Sequence, residues 1–279
     1  MPAIEIQMNF EIDLMDHSFI FYGLAFFGII LARYFFVAGG IHLFFYSAWG
    51  KSFANRELRG KHIVSGEDLR PPWPSIQQDI KLSVLSGIIF ALAAALIMSG
   101  YDLGITLLYN DFQSHGVWYL GVSYGVVLVL QDAYFYLTHR LFHHPLLFRW
   151  LHQGHHKSRH PTPWTSFAFD PPEAIVHSLF LIGIVFLIPL HLIALIAVLI
   201  TMTVWAVVNH LGLDRLPPSF PHHWFGKWFI GPAHHEIHHR KYTLHYGLYF
   251  TFWDKLFGSH DPDYDRELSG DFTSNSGAN

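Results

Sequence analysis

The chain has 279 residues, of which 51% are hydrophobic and only 14% charged, with a formal net charge of −4 and no cysteine. A mean hydropathy of +0.26 sets it apart from soluble domains and makes it a membrane protein by composition. The weak acidity, without any long basic run, gives no support for nucleic-acid binding, and the missing thiols exclude disulfides, thiolate ligands, iron–sulfur clusters and thiol nucleophiles. Imidazole and carboxylate remain as metal ligands.

Met1 to His17 carries Glu5, Glu11, Asp13 and Asp16 with no Lys or Arg, the reverse of a cleavable leader. Phe19 to Tyr46 is apolar and aromatic, long enough to cross a hydrocarbon core that takes about 20 helical residues. Arg33 interrupts it and is expected to snorkel or to face the protein interior. Lys51 to Lys81 reads as a polar loop with a Pro-Pro-Trp-Pro turn at 71–74. Leu82 to Met98 forms a second span, and Tyr101 to Gly116 a connection free of Lys and Arg. Val117 to Leu130 starts a third span, whose helix runs on through Asp132 into His139. Pro171 and Pro172 open the next helix. Ile175 to Val208 would measure about 51 Å as one helix, too long for one pass. Pro189 divides it into two short helices, 175–188 and 192–208, forming a hairpin that dips into the membrane. The final residues, 266–279, read as a disordered tail.

Of the 17 Lys and Arg, all but Arg33 fall in the segments 51–81, 140–159 and 215–266. An outside N-terminus, three passes and one hairpin place all three segments in the cytoplasm. The fold class is thus an all-α integral membrane protein with about three transmembrane helices, a membrane hairpin and a cytoplasmic histidine-rich helical cap. Its inner boundary lies near 116, and 117–265 holds all the clustered histidines. The membrane is the bacterial inner membrane or the endoplasmic reticulum.

Seven of the 22 histidines crowd into Asp132–His160. His139 and His143, then His152, His155 and His156, then His235, His238 and His239 repeat the three- and four-residue spacings that put side chains on one helix face. Imidazole binds iron, zinc and copper alike, and eight rings exceed the needs of one ion, which points to two. Ligating histidines hand their second N–H to a carboxylate or carbonyl; Asp132 and Glu236 are the candidates for that role. Isolated histidines (His17, His42, His62, His115, His177, His191, His245 and His260) read as ordinary polar residues. His235-Glu236-Ile237-His238-His239 also spells H-E-x-x-H, the signature of a zinc metalloprotease, so an intramembrane protease is the alternative. It leaves HRLFHH and HQGHH unexplained. A bis-histidine haem carrier or metal transporter is a third class, less consistent with clusters at helix ends.

HRLFH (139–143), LHQGHH (151–156) and HHEIHH (234–239), with TPWTSFAFDPPEA between them and YGLYFTFWDKLFGSHDPDYD after them, resemble the fatty acid hydroxylase superfamily, most of all its C-5 sterol desaturase branch. The resemblance implies a membrane non-haem diiron enzyme that uses O2 and two electrons to desaturate or hydroxylate a lipid, sterol-like or acyl. It implies His139, His143, His152, His155, His156, His235, His238 and His239 as metal ligands, with His210 of NHLGLD joining them. Asp214 stands where some relatives have a further histidine, and Asp170 where relatives have His before Pro171. The roles of His144, His222, His223 and His234 stay open. With no cytochrome-like extension ahead of the first span, the electron donor is expected to be a separate cytochrome or ferredoxin.

Overall fold

The computed structural model describes residues 2–46, 73–211 and 224–264. The first helix, α1 (Pro2–Tyr34), runs into a π-helical turn, Phe35–Gly39, and then α2 (Gly40–Tyr46). After the polar segment come α3 (Trp73–Asp102), a two-residue strand β1 (Leu108–Tyr109), α4 (Trp118–Phe142) and the short α5 (Pro145–Leu151). The hairpin consists of α6 (Pro171–Leu187), β2 (Leu190–His191) and α7 (Leu192–Asn209). Two short helices, α8 (Pro232–Lys241) and α9 (Phe252–Leu256), complete the described chain.

Among the described residues, four helical stretches are long and apolar enough to cross a membrane: Ser18–Phe45, α3, α4 and α7. The fifth apolar helix, α6, is shorter. The chain is therefore a multi-pass, mainly helical membrane protein. Three elements differ from the sequence reading. Residues 73–81 are helix rather than loop, because Trp73 and Pro74 open α3 and the polar residues that follow are ordinary helix formers. The hairpin does more than dip. Its tip pairs in parallel with the α3–α4 connection, Leu108 opposite Leu190 and Tyr109 opposite His191, so it reaches the level at which α3 ends and α4 begins. The second histidine cluster, finally, is not on one helix face: His152 ends α5, and His155–Lys157 forms a single 3-10 turn.

The prolines act as expected. Pro171 sits in the first turn of α6, where its missing N–H costs nothing, and Pro189 separates the two arms. Ile97, Val127, Ile184, Val185, Leu190, Ala194 and Val198 form one buried cluster joining α3, α4 and both arms. Lipid is as apolar as these side chains, so van der Waals packing and polar bonds hold the helices together. Arg33 supplies one such bond: it faces inward, donating to Thr203 Oγ1 at 2.8 Å with its guanidinium 4.8 Å from the Phe167 ring centroid. The last residues, 266–279, lie outside the described residues.

Candidate metal centre

The C-terminal end of α4, the α5 turn, the end of α7 and α8 converge on a buried cap. There nine imidazoles fall into two groups. His139, His143, His152, His156 and His238 form one, and His155, His210, His235 and His239 the other; in each, one ring nitrogen per residue lies within 4.8 Å of all the others. The spelling HxxHH divides itself. Its first and fifth letters, His152 with His156 and His235 with His239, stay together, whereas the fourth, His155 or His238, crosses to the other group.

Ring orientation follows from backbone partners. The Nδ1–H of His139 donates to Tyr246 O at 2.9 Å, of His155 to Ala168 O at 3.2 Å, of His210 to Ala206 O at 2.6 Å, of His238 to Leu244 O at 2.7 Å and of His239 to Ser158 O at 2.9 Å. A proton on Nδ1 leaves a bare lone pair on Nε2, and these are the atoms that meet. Nε2 of His139 is 3.0 Å from that of His152, His156 is 3.1 Å from His238, His235 is 3.0 Å from His210, and His239 is 3.1 Å from His235. In each of these contacts one ring has its proton held on Nδ1, so at least one bare Nε2 lone pair points into each group, and four or five ring nitrogens lie within 4.8 Å of one another there. The donor set therefore fits a metal ion in each group, with the carbonyls fixing the tautomer.

Burial keeps the rings neutral. It pushes His143 down to about 3, with His155 nearby adding to the effect, and His210 likewise to about 3. His152, His156, His235, His238 and His239 are all held well below the usual histidine range, first by burial and then by their neighbours. Neutral imidazole is the form that binds metal.

The carboxylates sort differently from the sequence reading. Asp132 is fully buried and accepts the N–H groups of Leu248, Tyr249 and Phe250 at 3.2, 2.7 and 3.4 Å; it fixes the chain next to Tyr246 rather than touching a histidine of either group. Glu236 lies 2.8 Å from His160 Nδ1, so the glutamate of H-E-x-x-H is engaged by a histidine outside both groups. Asp214, His222 and His223 lie outside the described residues. Asp170 accepts the N–H of Gly154 at 2.6 Å and so holds the turn between His152 and His155. His144 caps α5 by accepting the Leu146 N–H, and His234 stacks on Tyr264 with centroids 4.0 Å apart; neither joins a group.

Glu173 is the residue sequence reasoning missed. It stands in the first turn of α6, with Oε1 2.8 Å from His152 Nδ1 and 3.4 Å from His177 Nε2. His177, read from sequence as an ordinary polar residue, stacks on Phe135 and flanks that carboxylate. Only the paired prolines ahead of Glu173, which mark a helix start, hinted at its placement.

The fold and site together define a multi-pass membrane protein carrying two adjacent all-histidine nests suited to metal ions. Residues 124–259 match the fatty acid hydroxylase family. The chain is similar to the Delta(7)-sterol 5(6)-desaturase ERG3B of Gibberella zeae, at 33% identity over 185 residues covering 66% of this chain and 56% of that protein. It is also similar to the Delta(7)-sterol 5(6)-desaturase erg3C of Aspergillus fumigatus, 32% identical over 56% of this chain and 54% of that protein. Human lathosterol oxidase is 34% identical over 56% of this chain and 51% of its own length. The chain thus resembles the fatty acid hydroxylase superfamily on its sterol desaturase branch, and it spans about half the length of the curated relatives it matches. No solved structure matches it.

Proposed function

We propose that this chain is a membrane lipid oxidoreductase that uses O2 and two electrons to desaturate or hydroxylate a sterol-like or acyl lipid. The observation that carries the reading is the set of nine imidazoles, eight of them buried, that offer one ring nitrogen each to two groups of five and four, while five of them have Nδ1 tied back to a backbone carbonyl. In it the nine histidines hold two iron ions, and 117–265 forms the catalytic unit at the cytoplasmic mouth of the spans. Iron pairs supply activation of O2 and removal of hydrogen from unactivated C–H bonds, chemistry beyond redox-inert zinc.

The chain's own contribution is to prearrange the donors. Five carbonyls hold protons on Nδ1, burial keeps every ring neutral, and Glu173 faces His152 from the N-terminal turn of α6. The nests lie at the ends of α4 and α7, so a lipid substrate would approach them from the bilayer side. Electrons come from a separate cytochrome or ferredoxin, whose acidic surface would suit the Lys and Arg residues around the cap.

Purified protein should contain close to two irons per chain, and lipids of cells carrying the gene should show a species lighter by about two mass units (desaturation) or heavier by about 16 (hydroxylation). One zinc per chain with no iron and unchanged lipids would overturn the reading.

A further inference from the structure

Helix α3 precedes the segment that matches the family, yet one face of it is engaged with the metal centre. Asp79, Ser83 and Ser86, spaced by four and three, line up on that face and are all buried. The Asp79 carboxylate accepts Ser158 Oγ at 2.8 and 2.9 Å and Thr165 Oγ1 at 2.7 Å. Ser83 donates to Trp164 O at 3.4 Å and Ser86 to Phe167 O at 2.7 Å. The segment 158–168 is thereby held at its start, its middle and its end.

That segment carries two of the carbonyls that orient histidines: Ser158 O takes the Nδ1–H of His239, and Ala168 O takes that of His155. Both rings belong to the four-histidine group. The five-histidine group is oriented from elsewhere, by Tyr246 O, Leu244 O and Glu173. We propose that the Asp79–Ser83–Ser86 stripe is a positioning device for the four-histidine pocket alone, so that a helix outside the matched segment sets the affinity of one of two metals. This rests on reading both groups as metal pockets. Without Asp79, the Ser158 and Thr165 hydroxyls lose a shared buried acceptor, and the carbonyls that fix His239 and His155 lose their anchor.

The test is anaerobic titration of the full chain in lipid nanodiscs with Fe(II), reading metal bound per chain and the affinity of each equivalent, with Co(II) absorption as a second signature. Wild type should take two equivalents. Asp79→Ala and, separately, Ser86→Ala should leave one equivalent unchanged and weaken the other by about 10–100-fold, the usual effect of losing an outer partner of a ligand. Asp79→Asn should fall between, because its carbonyl oxygen can still accept one hydroxyl. Two equivalents of unchanged affinity in variants with wild-type helicity, or equal weakening of both, would overturn the proposal while leaving the two-metal reading intact. A wild-type chain that takes fewer than two equivalents removes that reading and the proposal with it. Should Asp79→Ala fail to fold, Ser86→Ala decides.

Discussion

Glu173 Oε1 lies 2.8 Å from His152 Nδ1, and both residues are buried. A carboxylate behind a ligand imidazole orients the ring and raises its basicity. Replacing Glu173 with Gln should weaken one metal equivalent, that of the five-histidine group, by about 10–100-fold. Metal titration of the purified variant measures it, and the four-histidine equivalent should keep its affinity.

Acid should unfold the metal-free protein. His143 and His210 titrate near 3 in the folded chain because they are buried, against 6.5 when exposed. Between those values the unfolded chain takes up protons that the folded one refuses. Stability is therefore full above pH 6.5 and falls as the pH drops toward 3, by about 1.4 kcal/mol per pH unit for each such ring. Asp254 works the other way: burial raises it to about 6, so its protonation favours the folded state as the pH falls below that value. The raised carboxyls, Asp254 and Glu173 among them, are outnumbered by the buried imidazoles, which leaves the net sign with the histidines. Thermal unfolding of chelator-treated protein from pH 7.5 to 5 should show a falling midpoint.

Asp132→Ala should be among the most damaging single changes away from the ligands. It leaves the N–H groups of Leu248, Tyr249 and Phe250 without their acceptor, at a cost on the order of 3 kcal/mol or more. A lowered unfolding midpoint together with weaker metal binding in the five-histidine group, through Tyr246 O and His139, is the expected outcome.

At the opposite end of the spans, His191 caps α7 by accepting the Ile193 N–H at 3.0 Å and stacks on Phe112. His191→Ala should lower stability by about 0.5–2 kcal/mol, the range for a lost N-cap, and leave both metal affinities unchanged. The pair of measurements separates the membrane clamp from the metal centre.

Glu236→Gln should leave both metal equivalents in place, since that carboxylate faces His160. A variant that loses a metal would show that Glu236 reaches the site by a route other than the contact with His160.

The linear chain by itself determined the inventory. Helix-length apolar runs, prolines at 171, 172 and 189, and histidines at recurring spacings need only local rules of length, turn and period, and those rules marked the spans, the hairpin and eight of the rings; His210 came only with the family resemblance. Tertiary structure decided how the rings divide. Whether His155 sits with His152 or with His235 depends on a 3-10 turn rather than a helix at 155–157, and on which carbonyl each Nδ1 meets. Asp132 shows the limit from the other side: its spacing from His139 suggested a partner for that ring, but a carboxylate goes to the nearest unpaired N–H groups, here in a loop 116 to 118 residues away. The prolines marked Glu173 as the start of a helix but not as a neighbour of His152, and Asp79 gave no sign of Ser158, because those partners lie far along the chain. Folding alone places a buried carboxylate beside the group that satisfies it.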